Sequence, residues 1–393
     1  MSVDPAERRA RAALSRLTEP GDDRLAALVE ELGAVEVLAR LRERRLPGSS
    51  AAHWSARLAT LDLRADVARA RAVRARYVVP GDDEWPDQLD DLAGLRDQQM
   101  SHAARPLGLW VRGPAHLREL TERAIAVVGS RAATEGGCYI TDEMCTTLAE
   151  RGWTIVSGAA YGIDSHAHEG ALAGDGPTVA VLACGVDVAY PRAHAGLLAR
   201  IARSGLVVSE LSPGCSPTRV RFLRRNRVIA ALAQATVVVE AAHRSGALTT
   251  ASFADALGRW VGAVPARVGD QQSHGCLTLL RRPGTVLVRG AADVLEVVGQ
   301  MGVDAVVEGR GPETPLDGLD ELTRRVVEAL PVRQGAEAAS ISRVAGLELL
   351  SVHAALTRLE LAGLAEHRSG LWRRCRPRRD EPGSARQVGA TLF

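Results

Sequence analysis

Apolar positions along the chain change their spacing several times. From Asp22 to about Arg76 they recur at helical intervals, with Leu25, Leu28, Val29, Leu32, Val35, Val37, Leu38 and Leu41 set around a break at Gly33. That period predicts a small helical module over residues 1–76. From Tyr77 the pattern shifts: YVVPGDDEWPDQL is rich in turn formers, and PLGLWVRG reads as one short strand. Beyond it, short unbroken apolar runs alternate with amphipathic stretches. The runs are AIAVVG (124–129), TIVSG (154–158), TVAVLA (178–183), LVVSE (206–210), ATVVVEA (235–241), WVGAVP (260–265) and TVLV (285–288). Unbroken apolar strands are buried on both faces, so the alternation predicts a doubly wound, mostly parallel α/β sheet over 77–298.

After Val298 glycine and turn formers dominate, and 299–318 reads as a linker. ELTRRVVEAL, ISRVAGL and LLSVHAALTRLELAGL then read as three short helices, and LAEHRSGLWRR as a hairpin around Ser369-Gly370. Three helices and a hairpin predict a winged helix over 319–376, followed by a disordered tail over 377–393.

Composition changes this picture little. A hydrophobic fraction of 46% and a charged fraction of 24% are those of a soluble globular chain. The formal net charge is only +2, so no whole-molecule field argues for a polyanionic partner; distribution has to. All 49 basic residues are arginine. Any phosphate contact would therefore come from a planar fork that binds bidentately and stacks on bases. The six cysteines form no CxxC pair, which suggests neither a disulfide framework nor a zinc site and fits a reducing cytoplasm. The first residues lack a secretory apolar core, and no apolar run reaches membrane-spanning length.

In parallel sheets ligands gather beyond the carboxyl ends of the strands, so the loops there carry the candidate chemistry. After the first parallel strand, Gly129, Ser130 and Arg131 offer close backbone approach, a hydroxyl and a guanidinium to one phosphate. A plain βα turn is the competing reading. The dinucleotide fingerprint GxGxxG is absent, which argues against a nicotinamide cofactor, and no cofactor is expected. Ser157 and Gly158 end the next strand, and Asp164 sits where a helix cap belongs. His166 and His168, two apart on a helix, point to different sides and suit packing better than metal. In ACGVDVAYPRAH, Tyr190 is read as packed beneath the site, with a stacking face as the alternative. RVRFLRRNR concentrates Arg219, Arg221, Arg224, Arg225 and Arg227 around Phe222 and Asn226, which suits a phosphodiester backbone, although charge runs are often solvated helix faces. Glu240, then Ser245, Gly246, Thr249 and Thr250, close the set with an acid and a helix-start anion site.

The order of these loops is more specific than any one of them. AVVGSR, SGAAYGID, GVDVAYP, VVSE, FLRRNR and VVEAAHRSGALTTA, preceded by EWPDQL and PLGLWVRG, resemble the DNA-processing A (DprA/Smf) family from about Tyr77 to Val298. The chain differs from the common pattern at Pro265-Ala266 and Pro283-Gly284. The resemblance implies an extended Rossmann-like domain that forms a homodimer, binds single-stranded DNA without sequence preference and loads a RecA-type recombinase, without catalysis. It places Ser130, Arg131, Arg225 and Arg227 in the DNA pocket. Two other functions stay open on the residues alone. One is a nucleotide or nucleoside-phosphate hydrolase with Glu240 or Asp187 as acid or base. The other is a duplex-reading regulator using Ser351, His353, Thr357 and Arg358 of the winged helix.

Overall fold

The computed structural model describes residues 3–96, 100, 102–299 and 318–375. The chain divides into two compact units, 1–306 and 307–393. Of the sequence-based expectations, most of the 299–318 linker and the 377–393 tail lie outside the described residues.

The first unit opens with five helices, Pro5–Leu14, Asp23–Leu32, Ala34–Arg42, Ser49–Ala59 and Leu63–Ala72. Asp4, Asp22 and Asp62 cap three of them by accepting backbone N–H groups, as short acidic side chains do at helix starts. Their apolar stripes meet in a core built on Leu14, Leu17, Leu25, Val29, Val37, Leu41 and Trp54. Arg8 clamps this module to the sheet domain: its guanidinium donates to both Asp82 carboxylate oxygens at 2.6 and 2.7 Å and to the Tyr77 carbonyl.

Nine strands form one sheet: β1 (Ala75–Val78), β2 (Leu109–Arg112), β3 (Ala124–Val128), β4 (Thr154–Ser157), β5 (Thr178–Val181), β6 (Leu206–Ser209), β7 (Ala235–Val238), β8 (Trp260–Ala263) and β9 (Thr285–Leu287). Their order is β1-β2-β6-β5-β4-β3-β7-β8-β9. From β6 to β9 all neighbours run parallel, whereas β2 joins β6 and β1 joins β2 antiparallel. The domain is a mostly parallel, doubly wound, Rossmann-like sheet with an antiparallel edge. Every residue of β3 to β7 is buried, which is why these strands read as unbroken apolar runs. The turn-rich reading of YVVPG misses β1. Two of its four residues are arginine and alanine, and a proline two positions beyond Val78 masks the strand.

The winding reverses between β3 and β7. β4, β5 and β6 are laid outward on one side of β3, and the chain then returns to place β7 on the other. Loops that leave these two neighbours diverge to opposite faces and open a crevice at their carboxyl ends.

In the second unit, helices Glu321–Ala329, Ala338–Ala345 and Leu349–Leu361 precede a two-stranded hairpin, Ala365–Arg368 with Leu371–Arg374. Ser369 and Gly370 both have positive φ, 52° and 81°, the requirement of the two-residue turn that matches strand twist. Val326, Ile341, Val352, Leu356, Leu359 and Trp372 make its core.

Candidate nucleic-acid interface

A pocket of about 700 Å³ occupies the crevice between β3 and β7. Its floor begins at Gly129, where a Cβ would lie 2.6 Å from Ile163 Cγ1 and 3.0 Å from the Glu240 carbonyl oxygen, so any side chain forces the loop to shift. Gly162 packs as closely: its φ is +74°, and a Cβ there would meet the Ser130 carbonyl oxygen at 2.3 Å. The backbone of residues 129–131 is thereby pressed onto the start of the helix Ile163–Ala173. The Ser130 hydroxyl accepts from Ala132 N–H and donates to Gln272 Oε1 at 3.2 Å.

Four arginines line the pocket, Arg131, Arg219, Arg225 and Arg244, against one carboxylate, Asp164. Arg225 is buried. Its Nη1 donates to the carbonyls of Gly158, at 2.9 Å, and Val181, while Nε donates to Asn226 Oδ1. Burial lowers its pKa, with Asp164 acting in the opposite sense, but a guanidinium stays charged throughout the accessible range. Asp164 is buried beside it, and burial holds its carboxyl above the ordinary range, countered by Arg225 and by backbone N–H donors from Ala160 and Gly129. Asp164 is not a helix cap; Gly162 occupies that position. The remaining arginines, Arg131, Arg219 and Arg244, are exposed at the rim.

Two further helices start at the pocket. Thr218 caps Arg219–Ala231 and Ser245 caps Gly246–Ala256, and both caps line the wall with the positive end of a helix dipole behind them. Asn226 Nδ2, from the middle of the first helix, donates to the Gly246 carbonyl at 3.0 Å and ties that helix to the start of the second. Aromatic faces complete the rim. Arg131 lies over the Phe222 ring, and Phe222 meets Tyr190 with centroids 5.6 Å apart. Tyr190 is 42% exposed and borders the pocket; it is not packed beneath the site.

Of the residues singled out from sequence, Gly129, Ser130, Arg131, Asp164, Tyr190, Arg219, Phe222, Arg225, Asn226, Ser245, Gly246 and Thr250 come together here. Ser157, Gly158, Arg221, Arg224, Arg227 and Thr249 do not. The Ser157 hydroxyl is buried and donates to the Val127 carbonyl at 2.6 Å, and Gly158 packs against the Arg225 guanidinium. Thr249 is absent from the lining, where Thr250 appears instead. Arg224 turns back to donate to the Pro20 carbonyl. Arg227 is fully buried, bonded to the Ala104 carbonyl and ion-paired with Glu210 at 2.8 Å. Helical geometry explains this division, because positions 219, 222, 225 and 226 share one face and 221, 224 and 227 lie off it. For Arg244 the sequence carries no separate signal of a pocket role beyond proximity to a helix start.

The acids considered for catalysis are occupied elsewhere. Glu240 accepts the Thr134 N–H at 3.0 Å and the Thr134 hydroxyl, and Asp187 accepts the Gly214 N–H at 2.8 Å; neither lines the pocket. His166 contacts Asp142, and His168 Nδ1 meets the Thr178 hydroxyl at 2.7 Å. Among the described residues no group of three or more His, Cys, Asp or Glu is placed to hold a metal, and no helix is long and apolar enough to cross a membrane.

Fold and site together define an extended Rossmann-like protein with a cationic, aromatic-rimmed pocket at its topological switch point. The chain belongs to the DNA recombination-mediator protein A family, whose profile matches residues 76–299. It is 47% identical over 375 residues to a DNA processing protein DprA of Mycobacterium tuberculosis, covering 94% of this chain and 95% of that one. Protein Smf of Synechocystis is 32% identical over 75% of this chain and 79% of its own. The crystal structure of DNA processing protein A from Streptococcus pneumoniae superposes with a TM-score of 0.61 at 30% identity, covering 76% of this chain and 99% of that chain.

Proposed function

We propose that the protein grips single-stranded DNA in the switch-point pocket, performs no covalent chemistry, and acts in the cytoplasm as a recombination mediator that hands the strand to a RecA-type recombinase. The observation that carries this reading is the pairing of exposed guanidinium groups with ring faces around one pocket: Arg131, Arg219 and Arg244 with the half-buried Phe222 and the exposed Tyr190. Phosphates of a flexible strand take the arginines while its unstacked bases meet the rings, a combination that single-strand binders use without reading sequence. Gly129, Ser130, Asn226, Ser245 and Gly246 shape the floor and helix starts, and Arg225 supplies a buried charge beneath them. Membership of the recombination-mediator family supports the recombinase partner, and we assign the homodimer contact to the 77–298 domain. The same reading treats 1–76, 77–298 and 319–376 as separate modules.

A hydrolase reading draws no support from Glu240 or Asp187, whose carboxylates are bonded to Thr134 and Gly214 and are not among the pocket's lining residues. The test is fluorescence anisotropy with labelled oligo-dT and a duplex of equal length, across salt. An Arg131→Glu, Arg244→Glu double variant leaves the buried Arg225 untouched. Its log affinity against log salt should flatten by roughly 0.7 for each phosphate it no longer neutralises. Equal affinity of variant and wild type for oligo-dT would sink the assignment.

A further inference from the structure

The start of the helix Arg219–Ala231 separates two recesses. Arg219 and Phe222 face the pocket already described. Arg221, carried to another side by the helical period, lines a second cleft of about 210 Å³ together with Arg16, Arg57, Leu211, Ser212 and Cys215, where the helical module meets the sheet domain. Among the described residues no carboxylate lines this cleft. Glu19 and Asp66 pair with its arginines from outside the lining. Glu19 accepts Arg221 Nε and Nη2 at 2.8 and 2.9 Å, and Asp66 lies 3.3 Å from Arg16 Nε. Those pairs fix the guanidinium heads without filling the space. Burial raises the Asp66 pKa, against the pull of Arg16 and Arg69, which weakens it as a counter-charge. Arg16 Nη1 reaches Cys215 Sγ at 2.8 Å. In the same lining the Ser212 hydroxyl is buried and has no hydrogen-bond partner among the described residues, so a ligand oxygen would satisfy a group that is otherwise costly to desolvate.

The two recesses draw on one stretch of chain. Pro217 and Thr218 line the first and Cys215 the second, with Ser216 between them in sequence. We propose that the cleft of Arg16, Arg57, Arg221 and Ser212 is a second phosphate subsite, reached by the strand seated in the first pocket as it crosses the N-terminus of this helix. The chemistry is that of a phosphodiester: guanidinium forks, a hydroxyl donor and the positive end of a helix dipole on the path between. The inference rests on the single-stranded DNA reading above, and its test separates the two.

Labelled dT4 and dT20 are titrated across salt with the full chain and with Arg57→Gln, Ser212→Ala and Arg131→Glu variants. Arg57 is exposed, so its replacement leaves packing intact. For dT20 the salt slope should fall by about 0.7 in Arg57→Gln, the share of one phosphate on a single strand. Ser212→Ala should weaken dT20 in the same direction, and dT4 should bind both variants as it binds wild type. If both leave dT20 unchanged while Arg131→Glu weakens dT4 and dT20, the subsite is wrong and the first pocket stands. Equal weakening of dT4 and dT20 by Arg57→Gln also overturns it, as the mark of a diffuse charge effect. Inorganic phosphate is titrated by calorimetry in parallel. Heat that disappears in Arg57→Gln without any length effect assigns the cleft to a free anion and rejects the strand path. If wild type binds neither oligonucleotide, both readings fall.

Discussion

The Arg131 guanidinium lies over the Phe222 ring, 4.7 Å from its centroid. A guanidinium stacked in this way keeps its in-plane donors free for a second partner. The stacking itself contributes about 0.5–1 kcal/mol at an exposed site. Arg131→Lys keeps the charge but loses the planar fork. Its single-strand affinity should fall roughly two- to fivefold, the equivalent of that stacking energy, with an unchanged salt slope. Arg131→Ala should lower the slope as well. Anisotropy titrations at several salt concentrations distinguish the two outcomes, and a lysine variant with the alanine variant's slope would contradict the stacking role.

Arg227 behaves differently from its neighbours. Family resemblance puts it in the DNA pocket, but it is buried against Ala104 and Glu210. Arg227→Ala strands the Glu210 carboxylate and should cost about 3–5 kcal/mol of stability, the usual penalty for breaking a buried pair. Urea unfolding measures that loss. Whatever fraction remains folded should bind oligo-dT close to wild type, and a stable variant that fails to bind would return Arg227 to the interface.

Gly129→Ala tests the floor of the pocket. The added methyl meets Ile163 and the Glu240 carbonyl, so the loop must shift. A destabilisation of about 1–3 kcal/mol is expected, as for other overpacked sites. Oligo-dT affinity should drop with it, because Ser130 and Arg131 move with the backbone. An unaltered melting temperature would show that the loop yields more easily than its packing suggests.

His168 sets an acid limit on stability. Burial, then the nearby charges of Arg225 and His194, lower its pKa from 6.5 to about 3. The unfolded chain takes up this proton near 6.5 and the folded protein only near 3, so stability from His168 is present above the unfolded value and drains as pH falls between them. His168→Asn should flatten this part of the acid profile when urea midpoints are compared at neutral and mildly acidic pH. An identical profile in wild type and variant would assign the acid loss to other groups.

Much of this architecture was legible in the chain. β3 to β7 announce themselves because strands covered on both faces need apolar side chains at nearly every position. β1 does not, since it pairs only with β2 at the sheet edge and carries Arg76 at its centre. The pocket loops after β3, before the helix Arg219–Ala231 and after β7 were legible as a set, through glycines, arginines and helix-start hydroxyls. Which arginine of RVRFLRRNR faces which way was not. That depends on the packing of Glu19, Pro20, Ala104 and Glu210, which come from distant parts of the chain. Tyr190 was misjudged for a related reason: a ring at a loop end packs or projects according to neighbours that local sequence does not name.

The Asn226 to Gly246 hydrogen bond ties the middle of the helix before β7 to the start of the helix after it, and the pocket takes residues from Val128 to Thr250. A bound strand would therefore act as a staple across the sheet's seam, raising the unfolding free energy with the logarithm of its concentration. Protection from proteolysis by oligo-dT should extend along the whole α/β domain instead of stopping at the loops that touch it.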